Sequence, residues 1–232
     1  MKFSIARDTL IKPLNLVAGV VERRQTLPIL SNVLIALDGP RLSLTGTDLE
    51  VELVGRLDLE GSGVDGEVTV PARKLVDICK SLPEGSNIEF SVEAGKATVK
   101  AGRSRFTLST LPAADFPTVD ASAADTTLGM PQSLVKQLID STAFAMAQQD
   151  VRYYLNGLYF EVLGGRLRVV ATDGHRLALA TAPQRVEAAD LGVIIPRKGV
   201  LELSRLLEGS APISLSIGSN HCLLYTSDAA DE

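Results

Sequence analysis

The chain matches itself. Arg41-Leu42-Ser43-Leu44-Thr45-Gly46-Thr47-Asp48 aligns without a gap on Arg166-Leu167-Arg168-Val169-Val170-Ala171-Thr172-Asp173, 125 residues further on. The same offset sets Val70-Pro71 on Ile195-Pro196, and the apolar triad Leu75, Ile78, Leu82 on Val200, Leu203, Leu207. A repeat this long means two copies of one domain, not the short units of a solenoid. Function is therefore to be sought in what tandem copies build together.

A chain of 232 residues with 45% hydrophobic content can fill two separate cores. Trp is absent and aromatics are only 4%, so Leu, Val, Ile and Ala must do the packing. The formal net charge of -5 speaks against a general nucleic-acid binder only as a sum, because it does not say where the charges sit. No apolar run approaches the roughly 18 residues of a membrane span. Met1 to Asp8 lacks the apolar stretch of a secretory signal. Two distant cysteines give neither a disulfide framework nor metal-ligand spacing, so a reduced, cytoplasmic setting is expected.

The segment Cys222 to Glu232 looks like the translated end of a transposase adapter from a sequencing library, and is set aside as a scar. Without Asp228, Asp231 and Glu232 the count becomes 25 acidic against 23 basic residues, and Cys79 is the one native cysteine. The native part is then expected to stop near His221, as a fragment.

Each copy reads as a helix, a group of strands, a second helix and further strands. In copy one Asp8 is expected to cap a helix with Leu10, Leu14, Val17 and Val21 on one face, and Pro13 to disturb its first turn. In copy two the helix is expected from Pro131 to Met146, with Pro131 at its start. Second helices are expected over Ala72 to Leu82 and Arg197 to Leu207. Period-two segments predict strands at 32–37, 41–44, 51–57, 87–92, 97–100 and 105–108, then at 157–162, 166–170 and 177–182. Copy two is expected to lack the last strands of copy one. The fold class is α+β, with antiparallel sheets backed by helices. Domains are expected at 1–115 and 127–221, joined by a linker at 116–126 and followed by the tail at 222–232.

Gly61-Ser62-Gly63-Val64-Asp65-Gly66 fits the dinucleotide pattern G-x-G-x-x-G, but a strand follows it where the pattern needs a helix. It is expected to be a flexible hairpin loop. Asp48 and Asp173 could act as general acid and base, with His175 as the available imidazole. Their repeat-equivalent positions place them in different domains, and capping of a turn is the simpler role. Cys79 falls on an apolar helix face and reads as core. No catalytic centre emerges.

Charge placement says more. The segments 8–24, 71–84, 131–146 and 196–208 hold ten basic residues against seven acidic ones, a net +3, which leaves -8 on the rest. Mildly positive helices on an acidic body could face phosphates. They could equally be ordinary solvated helix faces, and charge alone does not decide.

Asp150-Val151-Arg152-Tyr153-Tyr154-Leu155-Asn156-Gly157 and Ala171-Thr172-Asp173-Gly174-His175-Arg176-Leu177-Ala178 carry a resemblance, with Thr45 to Glu50, Val70 to Lys74 and Pro196 to Gly199. From Met1 to about His221 the chain resembles the bacterial DNA sliding clamp, the β subunit of the replicative DNA polymerase. The resemblance implies a fragment holding the first of three clamp domains and most of the second. In the whole protein it implies a head-to-tail homodimer that closes around double-stranded DNA. It implies no catalysis, no cofactor, no metal and no membrane partner. Arg24, Arg73, Gln149, Tyr153 and Tyr154 match positions that touch DNA in that family, with Arg197 and Lys198 as additions from copy two. Arg152, Leu155, Thr172, Gly174, His175, Arg176 and Leu177 match half of a groove that takes short peptides from polymerase, clamp loader and repair proteins. Lys74, Arg103, Arg105, Phe106 and Leu108 match the first-domain side of the dimer interface, with Arg103 and Arg105 alternating along an edge strand. The rival expectation is a hydrolytic or nucleotide-processing enzyme using Asp48, Asp173 and His175.

Overall fold

The computed structural model describes residues 1–21, 27–118, 124–209, 211–218 and 222–226. The chain divides into two compact units, Met1–Val119 and Asp120–Glu232. In the first, β1 (Lys2–Ala6) leads into α1 (Arg7–Val20), then β2 (Asn32–Asp38), β3 (Arg41–Thr47), β4 (Glu52–Asp58) and β5 (Gly66–Pro71). After these come α2 (Ala72–Ser81), β6 (Asn87–Glu93), β7 (Lys96–Ala101) and β8 (Ser104–Ser109). The strands form two antiparallel sheets, ordered β4-β3-β2-β5 and β1-β6-β7-β8. Val33, Ile35 and Leu37 alternate inward on β2 and meet Leu42 and Leu44 of β3 in one core with Leu10, Leu14 and Val17 of α1.

The second unit repeats the plan with β9 (Ala124–Pro131), α3 (Gln132–Thr142), β10 (Gly157–Leu163), β11 (Arg166–Thr172), β12 (Leu177–Arg185) and β13 (Leu191–Pro196). It continues with α4 (Arg197–Leu206), β14 (Pro212–Gly218) and β15 (Cys222–Thr226). Its sheets are ordered β12-β11-β10-β13 and β15-β14-β9. The bounds of β10, β11, β13, α4 and β14 fall 125 residues after those of β2, β3, β5, α2 and β6, without a residue of slippage.

Several local expectations are corrected. Asp8 does not cap α1; Ala6 stands at the N-cap. Asp8 lies in the first turn, where its carboxylate accepts from Arg7 Nη1 at 2.6 Å and from the Gly85 N–H at 2.8 Å. Pro13 lies inside α1, not at its margin. An internal proline costs a helix about 3 kcal/mol or more, and burial of Leu10, Leu14, Val17 and Val20 on one face offsets it. The α3 helix stops at Thr142, and a 3-10 turn over Ala143–Ala145 follows.

The segment Gly61 to Gly66 is not a hairpin, because β4 and β5 lie on opposite edges of their sheet. It is a crossing, pinned where Lys2 and Val64 exchange backbone hydrogen bonds at 2.9 and 2.7 Å. Copy two keeps two of the three late strands of copy one: β14 pairs with β9 along its length, and β15, within the segment set aside as a scar, pairs with β14, while among the described residues no strand answers to β8.

Helix α1 lies directly on the β4-β3 edge of its sheet. A Cβ on Gly46 would run into the Val17 carbonyl oxygen, and one on Gly55 would sit 2.9 Å from Pro13 Cβ. Glycine in these strands is thus a condition of the helix–sheet distance.

Candidate functional site

One turn recurs in both copies and is built from the same bonds. In copy two, Thr172 Oγ1 donates to the Arg176 carbonyl at 2.7 Å and accepts from the Gly174 N–H at 3.1 Å. Asp173 Oδ1 accepts from the N–H groups of His175 and Arg176, each at 3.0 Å. In copy one, Thr47 bonds Val51 O at 3.0 Å and the Leu49 N–H at 3.1 Å, while Asp48 Oδ1 takes the N–H groups of Glu50 and Val51 at 3.0 and 2.8 Å. The residue after each Asp is left-handed, with φ of 88° at Gly174 and 81° at Leu49. Both carboxylates thus close turns. The N–H donors of His175 and Arg176, then the Arg176 guanidinium, hold Asp173 below the usual carboxylate range.

Beside the copy-two turn runs the loop from Ala147 to Asn156. Asp150 accepts from Arg152 three times, through the backbone N–H at 2.8 Å, Nε at 3.0 Å and Nη2 at 2.9 Å. Those bonds, the side-chain ones first, lower its pKa to about 2. Arg152 is thereby laid across the turn: its Nη2 lies 3.2 Å from where a Cβ on Gly174 would be. Any larger residue at 174 meets both that guanidinium and an unfavourable φ.

Gln149, Asp150, Arg152, Asp173, His175 and Arg176, with Met146, Ala147 and Gln148, line an open cleft of about 440 Å³. Leu177, 66% exposed, stands at the start of β12, and Leu155 is half-buried. Phe144 is an apolar addition that the sequence reading missed: it is 61% exposed, with the Arg176 guanidinium 5.9 Å from its ring centre. Its signal was an aromatic just beyond a helix end, hidden because the helix was expected to continue to Met146. The cleft offers cationic donors beside apolar surface, which suits a segment carrying both carbonyl or carboxylate groups and apolar side chains.

The residues matched to DNA contact divide between elements. Tyr153 and Tyr154 are 82% and 51% exposed and meet edge to face at 5.8 Å. Gln149 is left-handed, with φ of 57°, and lies in the same cleft as Arg152, so one loop carries members of both sets. Arg197 and Lys198 open α4, and the Arg197 N–H donates to Asn156 O at 2.9 Å. In the first unit Arg73 is exposed on α2, with Nη2 3.4 Å from Val21 O. Arg24 lies outside the described residues, as does His221.

Of the interface set, Lys74 is exposed on α2 and Arg105 on β8, an edge strand. Arg103 precedes β8, in the turn after β7, so the two arginines do not alternate along one strand. Phe106 packs partly against the first core, and Leu108, 5% exposed, belongs to it, because the even-numbered side of β8 faces inward. Among the described residues no group of three His, Cys, Asp or Glu is placed to hold a metal ion, and no helix is long and apolar enough to cross a membrane.

Residues 1–120 match the family model described as the DNA polymerase III beta subunit, N-terminal domain, and residues 129–230 match its central domain. The chain belongs to the DNA polymerase III beta subunit family. It is 59% identical over 230 residues to a beta sliding clamp of Pseudomonas aeruginosa, covering 98% of this chain and 63% of that one. The Escherichia coli K12 beta sliding clamp is 50% identical over 229 residues, with the same coverage of 98% and 63%. Among solved structures, a Pseudomonas aeruginosa sliding clamp with ligand superposes with a TM-score of 0.94 at 58% identity, covering 97% of this chain and 62% of that one. Another from that organism, bound to griselimycin, gives 0.92 at 59% identity with the same coverage of 97% and 62%. The chain thus spans a little under two thirds of these relatives, and its antiparallel sheets backed by helices are the clamp fold.

Proposed function

We propose that the chain is the two-domain part of a non-catalytic DNA polymerase processivity factor. In the whole protein, two copies close head to tail around duplex DNA in the cytoplasm. The observation that carries this is the repeat-equivalence of basic helix starts. Arg73 and Lys198 fall 125 residues apart in the first turns of α2 and α4, with Arg197 beside Lys198, while the chain as a whole is acidic at -5.

A ring holds DNA by topology and needs only a few phosphate contacts. Many would make binding steeply salt-dependent and would impede sliding. Tyr153, Tyr154 and Gln149 add backbone packing and hydrogen bonds without reading sequence. The cleft of Arg152, His175 and Arg176, with the Gly174 turn beside it, is one half of a docking site for short segments of polymerase, clamp loader and repair proteins. Arg105 and Lys74 supply charge at the subunit junction.

The test loads the protein from its whole reading frame onto nicked circular plasmid and follows retention after linearisation. Retention on circles with rapid loss from linear ends is the expected result. Equal loss from both overturns the proposal.

A further inference from the structure

The loop from Ala147 to Asn156 must hold a left-handed Gln149 and two exposed tyrosines in place with little apolar burial of its own. Two rungs close it. The outer one runs from the Ala147 N–H to Leu155 O at 3.1 Å. The inner one is a side-chain amide acting as a strand partner: Asn156 Nδ2 donates to Asp150 O at 2.8 Å, and Asn156 Oδ1 accepts from the Asp150 N–H at 2.9 Å. Both backbone groups of the residue after Gln149 are thereby fixed, which sets the direction of the chain at that strained position. Asn156 has a third bond outside the loop, through its own carbonyl to the N–H of Arg197 at 2.9 Å.

Only asparagine can make the inner rung at this reach. Aspartate lacks the donor, alanine lacks both atoms, and serine, which stands at the equivalent position 31 of copy one, is too short to span both groups.

We infer that Asn156 is a positioning residue for DNA contact: its amide fixes the loop bearing Gln149, Tyr153 and Tyr154, and its carbonyl ties that loop to Arg197 at the start of α4. The inference rests on the proposed DNA-binding reading. Asn156 itself touches no DNA. It raises the fraction of molecules whose loop is already in the binding arrangement, and apparent affinity scales with that fraction.

The test titrates the 232-residue chain against a short fluorescent duplex at low ionic strength. The variants are Asn156→Ala, Asn156→Ser, the pair Tyr153→Ala with Tyr154→Ala, and that pair combined with Asn156→Ala. Losing two ordinary hydrogen bonds predicts that Asn156→Ala weakens binding by about three- to tenfold. Asn156→Ser, neutral and too short to span both groups, should weaken binding to the same extent. In the tyrosine-less background Asn156→Ala should add less than about a twofold further loss, because it acts through those side chains.

A merely structural role would instead lower the melting midpoint and weaken binding equally in both backgrounds. That result, or wild-type affinity in Asn156→Ala, overturns the inference while leaving DNA binding intact. No duplex binding by the wild-type chain overturns the underlying reading, and the inference with it. Should Asn156→Ala fail to fold, Asn156→Ser in the two backgrounds decides by the same comparison.

Discussion

Replacing Gly46 by alanine puts a methyl group where α1 already stands. The new Cβ would collide with the Val17 carbonyl oxygen and lie 3.1 Å from its carbon and 3.5 Å from Val17 Cβ. The obstacle is helix backbone, so no rotamer change relieves it, and α1 must lift from β3. Overpacking of this kind costs about 1–3 kcal/mol, while replacing a strand glycine returns about 0.5–1 kcal/mol of chain entropy. The net expectation is a loss of about 1–2 kcal/mol from the first unit, or roughly 4–12 °C in its midpoint for a domain of this size. Calorimetry on the chain should show that transition fall while the second unit's transition stays. Gly129→Ala is the control: its Cβ meets nothing within 4 Å, and stability should hold or rise slightly. A Gly46→Ala midpoint at or above wild type, or equal falls in both units, would refute the packing argument.

Leu49 is held at φ of 81°, where Gly174 stands in copy two. A left-handed non-glycine residue costs about 1–2 kcal/mol and added glycine entropy about 0.4–1 kcal/mol, so Leu49→Gly should stabilise slightly in urea denaturation; a clear loss counts against it. Asp150 has a depressed folded pKa, so its ordering of Arg152 is complete above the unfolded value of about 3.9 and lost as pH falls toward about 2. Tyrosine fluorescence, from four tyrosines with no tryptophan, should report loosening only in that window, and Asp150→Asn should remove the transition. Charge reversal at Arg73 and Lys198 together should weaken duplex binding and flatten its salt dependence by a slope of about 2 or more on a log–log plot. An unchanged slope would remove those residues from the contact set.

The repeat made most of the architecture legible, because Val33, Ile35 and Leu37 alternate as a strand must, and their partners in copy two do the same. What escaped was non-local. β1 is five residues long and its pairing partner β6 lies far along the chain, so local pattern was weak. The edge positions of β4 and β5, which make the Gly61–Gly66 segment a crossing, follow from sheet order and not from composition. At the cleft, the residue types were readable but their ties were not. That Asp150 clasps Arg152, and that Gly174 leaves room for it, depends on two segments about twenty residues apart meeting in space. Leu108 entered the interface set through the family resemblance, and which side of β8 carries the core depends on long-range packing that local pattern does not show.

The uninterrupted 125-residue register has a genetic corollary. Joining the chain at any pair of positions 125 residues apart would remove or add one whole module in frame and set each junction at the same point of the repeated plan. Chains of this design can therefore change their number of modules in single steps, without passing through a broken domain.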